Sequence, residues 1–133
     1  MKPNNRPPDN ASTDDFVTFT PINRAVVTLK AKQPFLDWLE SLPDRAPGET
    51  FSLEAINDDQ TAFLIPEFED SADAVKYIES IAPAIFQDQL ESWWTDDTHW
   101  PKDPTLKMFY EWFDVNIHSI VVDTLEEDVE KTD

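Results

Sequence analysis

The sequence predicts an α+β domain, close to α/β in character, with a small three-stranded sheet and about four helices packed on it. Three observations carry this prediction. Three apolar runs rich in β-branched residues, "INRAVVTLK" (22–30), "TAFLIPEF" (61–68) and "VNIHSIVVDTL" (115–125), read as strands. Apolar residues at i, i+3, i+4 and i+7 recur between them, at Phe35, Trp38, Leu39 and Leu42 and again at Leu106, Phe109, Tyr110 and Phe113. The 133 residues are 40% hydrophobic and hold nine Phe, five Trp and two Tyr, enough to build one core.

The predicted order is β-α-β-α-α-α-β, with a short turn before the second strand. Pro34 suits the first turn of the helix that buries Phe35, and Pro43 stops it. Ser52 is placed to cap a helical turn in "FSLEAIND" (51–58). Pro66 ends the second strand or places it at an edge. Ser71 caps the next helix, and Asp73 in its first turn complements the dipole. Pro83 is expected to break or kink that run, leaving a second piece with Ile85, Phe86, Leu90, Trp93 and Trp94. Asp103-Pro104 reads as a cap and first-turn proline for the last helix. A helix lies between the first two strands, so a right-handed parallel crossover is the default for that pair. Residues 1–15 and 126–133 lack periodicity and read as a disordered arm and an acidic tail around one globular unit, 16–125.

Composition excludes several chemistries. The absence of cysteine removes disulfides, thiol nucleophiles and thiolate metal sites. A single glycine, Gly48, cannot make a phosphate-cradling Gly-rich loop or a G-x-S-x-G elbow. Two histidines cannot make a three-histidine zinc site. No cofactor is expected. No apolar run approaches the ~20 residues that cross a bilayer, and the N-terminus lacks a signal-peptide core, so a cytoplasmic location is expected.

The net charge is −18, from 28 acids and 10 bases. Residues 16–125 alone hold 20 acids and seven bases, a net −13, so the folded unit is itself acidic. Phosphate backbones and anionic membranes call for clustered Lys and Arg, so neither nucleic acid nor membrane is an expected partner. A basic protein would be attracted instead.

The segments "NRAVVTLKAKQPFLDWL" (23–39), "FLIPEF" (63–68), "WTDDTHWP" (94–101) and "FYEWFDVNIHSIVVD" (109–123) resemble a family of small bacterial proteins with no assigned activity. The resemblance covers 22–123 and implies a bacterial cytoplasmic protein with a folded core of that extent. It supplies no catalytic residues, substrate or cofactor.

The candidate site is the stretch "ESWWTDDTHWPKD" (91–103) with the last helix. Trp93 and Trp94 point about 100° apart on a helix, so one enters the core while the other covers its edge. Asp96, Asp97 and Thr98 have turn and cap chemistry, and Trp100 before Pro101 reads as extended. Met108 and Trp112 lie on the flank of the last helix and either pack inward or stay exposed beside Glu111 and Asp114. The expectation is a non-enzymatic, tryptophan-rich acidic surface. Trp100, Trp112 and one of Trp93 or Trp94 would anchor a partner on it; Asp96, Asp97, Glu111 and Asp114 would steer the partner, and His99 would hydrogen-bond to it. Burial of Trp100 and Trp112 would remove their anchor role.

The alternative is a small-ligand or divalent-metal enzyme centred on Glu111, Asp114 and His118, with His99 as a further group. His118 and Ser119 point to opposite faces of a strand and cannot pair as base and nucleophile. "FLDWLE" (35–40) and "FYEWFD" (109–114) share a pattern that two common biases suffice to produce.

Overall fold

A computed structural model describes residues 18–43 and 50–132. The elements run β1 (Thr20–Pro21), β2 (Arg24–Ala31), α1 (Gln33–Ser41), α2 (Leu53–Ile56), β3 (Ala62–Pro66), α3 (Ser71–Trp93), a 3-10 turn (Asp97–His99), α4 (Leu106–Trp112), β4 (Phe113–His118) and β5 (Val122–Asp123). The architecture is α+β, as predicted: helices cover one face of a three-stranded sheet ordered β3-β2-β4. The N-terminal arm 1–15 lies outside the described residues, and 126–132 contain no helix or strand.

Alternation along the strands decides which face is covered. Ala25, Val27, Leu29 and Ala31 of β2 are buried together with Ile65 of β3 and Phe113 of β4. The alternate positions Arg24, Lys30, Leu64, Asp114, Asn116 and His118 are exposed on the other face, which no helix among the described residues covers. Against the buried face lie Phe35, Leu36, Trp38 and Leu39 of α1, Phe109 of α4, and the α3 stripe Ala74, Ile78, Ala82, Ile85, Phe86, Gln89 and Leu90.

All three strands are antiparallel to their neighbours, which corrects the parallel crossover expected between the first two. The crossover rule assumes that the connection travels back along the strand it left. Here α1 is nine residues, roughly 14 Å, and the chain returns to the end of the sheet from which it departed. Asn57 fixes that return. Its Oδ1 accepts from the Ala31 N–H at 2.7 Å and its Nδ2 donates to the Ala31 carbonyl at 3.1 Å. One side-chain amide thus takes both backbone groups of Ala31, three residues beyond Thr28, where the β2–β3 ladder stops.

Pro83 does not divide the helix, contrary to expectation: α3 is one element of 23 residues. Proline removes one intrahelical donor and costs ~3 kcal/mol in a helix interior. Its side chain faces solvent, however, and the buried stripe runs unbroken from Ala74 to Leu90 on the opposite side. Each buried large apolar side chain contributes about 1.5–3 kcal/mol, so the stripe outweighs the single lost bond.

The caps shift by a residue or two. Asp70 rather than Ser71 caps α3, its side chain accepting from Ala72 N. Thr105 rather than Asp103 caps α4, accepting from Met108 N. Asp103 instead takes a left-handed φ of 51°, a conformation Asp tolerates better than most side chains. Ser52 caps α2 as predicted, accepting from Ala55 N.

The last predicted strand is divided. β4 grows out of α4 without a loop, and β5 pairs with β1. The β2–β4 partners sum to a constant register through Val26↔His118, whereas Pro21 pairs with Val122, one residue out of step. One extra residue on the β1–β2 side therefore bulges the ladder, and β1–β5 is its continuation beyond the bulge.

Candidate functional site

The stretch 94–103 is a turn pinned onto the aromatic core. α3 ends at Trp93, and Trp94 is extended, so the two indoles diverge as expected. Trp94 packs half-buried against the core, while Trp93 is 39% exposed and meets Phe51 edge-on at 5.8 Å. The chain then makes a 3-10 turn at Asp97–His99 and passes through Trp100.

Two indole N–H groups hold this turn. Trp38 on α1 donates from Nε1 to the His99 carbonyl at 2.8 Å, and Trp100 donates from Nε1 to the Trp94 carbonyl at 2.8 Å. The Trp94 ring meets the His99 imidazole edge-on at 5.9 Å. The Trp94 indole N–H is itself buried without a hydrogen-bond partner among the described residues.

Asp96 organises the polar side of the turn. Its Oδ1 accepts from Thr98 Oγ1 at 2.7 Å and from Thr98 N at 3.0 Å, and its Oδ2 lies 3.9 Å from His99 Nε2. The Thr98 hydroxyl and then the Thr98 amide hold the Asp96 carboxyl below the usual carboxylate range, against the opposing effect of desolvation, with the nearby imidazole the smallest contribution. Asp96, Asp97 and His99 are all exposed.

Trp112 does not serve as a free anchor. Its ring lies 6.1 Å from Phe35, 6.3 Å from Trp38 and 5.2 Å from Phe86, so α1 and α3 both pack on it. Met108 is likewise half-buried against the core. Trp100 is half-buried with its N–H committed to Trp94, so of the two tryptophans expected as anchors Trp100 builds the turn and Trp112 packs into the aromatic core. Leu106, predicted to face the core, is 41% exposed because it begins α4 beyond the packed layer. The two similar hexapeptides meet across the α1–α4 contact through Phe35, Trp38 and Trp112. One precedes its helix with a strand and the other follows its helix with one, an order that a duplicated unit would not produce.

The alternative site is not assembled. Glu111 is exposed on α4. Asp114 and His118 share the open face of β4, but they stand four positions apart along the strand, roughly 13 Å. Asp114 lies 3.8 Å from Lys32 Nζ, which also donates to the Tyr110 carbonyl at 3.1 Å. His118, expected to be either a core residue or a ligand, is exposed opposite Val26. His99 lies in the turn against α1, on the helical side of the sheet. Among the described residues, no group of three or more His, Asp or Glu is placed to share a metal ion. Among them, too, no helix is long and apolar enough to cross a membrane.

Sequence reasoning missed three contributors. Trp38 reaches a carbonyl 61 residues away, which no local pattern announces. Asn57 read only as part of a turn. Tyr110 donates to Glu79 Oε2 at 2.8 Å, tying α4 to α3. Burial first, and then that carboxylate, pushes the Tyr110 phenol up to about 12.

The chain matches no protein-family model, no curated protein and no solved structure, so its function must be read from its own residues.

Proposed function

We propose that the protein is a non-enzymatic interaction module that docks a basic protein partner on the turn 94–103 and the acidic helix faces around it. The observation that carries this reading is the double indole clamp. Two buried-side donors fix the turn's backbone, so Asp96, Asp97 and His99 stand exposed in set positions rather than sampling solvent. A preordered carboxylate pair lowers the conformational cost a partner meets on binding. The exposed acids Asp37 and Glu40 on α1, Asp88 and Glu91 on α3, and Glu111 on α4 extend the same sign of charge over the helical layer. A surface of one sign speeds the encounter with a cation-rich partner. Trp93, the most exposed indole, supplies apolar area at its margin.

The test is fluorescence anisotropy with a labelled Lys/Arg-rich decapeptide at ~50 and ~200 mM salt. Wild type is compared with Asp96→Asn/Asp97→Asn and with the control Asp58→Asn/Asp59→Asn. The turn variant should bind at least fivefold more weakly while the control stays within twofold. Equal losses from both pairs would reduce the effect to net charge and overturn the assignment to the turn.

A further inference from the structure

The two edges of the sheet are treated differently. β3 is five residues long and ends on Pro66, and the Asn57 amide occupies the β2 backbone groups beyond it. β4 spans Phe113–His118 with no proline, no lysine and no bulge, and among the described residues nothing pairs with its outer edge. Unprotected edges of this kind recruit further strands.

The hydrogen-bond parity of that edge follows from the bonds around β2. Lys32 N donates to the Trp112 carbonyl, while both backbone groups of Ala31 turn the other way, to Asn57. In an antiparallel ladder the inward and outward residues alternate. Asp114, Asn116 and His118 therefore bond inward to Lys30, Thr28 and Val26, their partners in the register. The N–H and C=O groups of Val115 and Ile117 point to the free edge, as does the Phe113 carbonyl, whereas the Phe113 N–H closes α4 by donating to the Phe109 carbonyl. On the side-chain level, Asp114, Asn116 and His118 share the open face, and Val115 and Ile117 are half-buried on the other.

From this geometry we propose that β4 is a self-pairing strand that joins two copies of the chain into one continuous six-stranded sheet, with a twofold axis at Asn116. The segment is self-complementary about that residue. Pairing Asn116 with its twin sets Asp114 opposite the partner copy's His118 on both sides of the axis. The same register bonds Val115 to the partner copy's Ile117, which uses only the outward backbone groups. Asp114, Asn116 and His118 then fall in the non-hydrogen-bonded pairs, where facing side chains come closest. A shift by one residue would set inward groups against outward ones. A shift by two, centred on residue 115 or 117 in alternation, loses the Asp–His match. The imidazole, neutral or protonated, donates to the carboxylate in either case.

Charge also favours this face over others as a self-contact. The helical layer is acidic, so two copies repel there, whereas the open face near β4 carries Arg24, Lys30 and His118 against Asp114. The Lys32–Asp114 contact is long and exposed, and such pairs are worth at most ~1 kcal/mol, so it leaves the carboxylate free to turn to a partner. A six-residue edge buries less than the ~1,200 Å² of a stable interface, so the dimer forms weakly and more readily when salt screens the net charge.

Sedimentation velocity on the full chain between ~2 and ~400 μM, in ~0.5 M salt, tests this. Wild type should show a concentration-dependent monomer–dimer equilibrium. His118→Asp places carboxylates opposite each other and should weaken the dimer at least tenfold with the fold unchanged by circular dichroism. Combining Asp114→His with His118→Asp restores the complementarity in reverse and should recover the affinity to within threefold. A wild type that stays monomeric throughout, a dimer indifferent to His118→Asp, or a double variant as weak as the single one would each overturn the proposal.

Discussion

Replacing Trp38 by phenylalanine separates the clamp from the core. Trp38 is 8% exposed, and its ring packs 5.5 Å from Phe35 and 6.3 Å from Trp112, contacts that a phenyl ring largely keeps. The Nε1–H bond to the His99 carbonyl is lost. A bond of this type contributes ~1 kcal/mol net, and water replaces the donor at this half-open turn, which keeps the loss near that figure. The smaller ring leaves a void costing ~1 kcal/mol at ~24 cal/mol per Å³. The sum, ~2 kcal/mol, corresponds to a melting point lower by ~8 °C for a domain of this size. Urea denaturation measures the global term, and hydrogen exchange at His99 and Trp100, whose amides bond to Asp96 and Asp97, measures the local one. Their exchange should speed about fivefold beyond the global change, the equivalent of ~1 kcal/mol. Unchanged turn exchange in a destabilised protein would mean that the indole supports the core alone, and the preordering argument for Asp96 and Asp97 would fall.

Three further expectations are independent of that one. Thr98→Ala removes the largest of the bonds that depress the Asp96 carboxyl, so its NMR titration should move up toward 3.8. Because a depressed carboxyl stabilises the fold above its unfolded pKa and loses that contribution as pH falls through the folded one, wild type should lose more stability than the variant as pH falls below 4. Tyr110 behaves in the opposite sense: its raised phenol stabilises the fold below pH 10.0 and loses that stabilisation up to about 12. Wild type should therefore lose more stability between pH 9 and pH 11.5 than Tyr110→Phe, as read by urea midpoints at each pH. Asn57→Leu deletes both bonds to Ala31 and should cost ~2 kcal/mol, with the Ala31 amide exchanging faster than its neighbours in β2.

The fold class and the buried stripe of α1 were legible because each depends on periodicity, and Pro66, which lacks an N–H, left the end of β3 and its edge position as two open readings, both of which hold. Strand direction was not legible. It depends on the end of the sheet at which the chain re-enters after α1, and the Asn57 bonds that hold Ala31 at that point span 26 residues and leave no mark on the local pattern. The helix through Pro83 was misread for a related reason: proline's local cost is visible in sequence, whereas the burial that offsets it is set by what α3 packs against. Within the candidate site, the acids of the turn were visible as turn chemistry. The roles of the tryptophans were not, since an indole that anchors a partner and one that clamps a loop have the same neighbours in sequence.

Taken alone, the sequence determined the chemistry this chain lacks, the sign of its charge and the existence of one aromatic core. These follow from counts and from periodicities of 2 and 3.6, which act over a few residues. The tertiary structure decided which tryptophans face inward, which face of the sheet stays open and which backbone groups of β4 are left unpaired. Those outcomes depend on contacts between residues tens of positions apart, where burial and hydrogen-bond parity are settled by the packed chain as a whole.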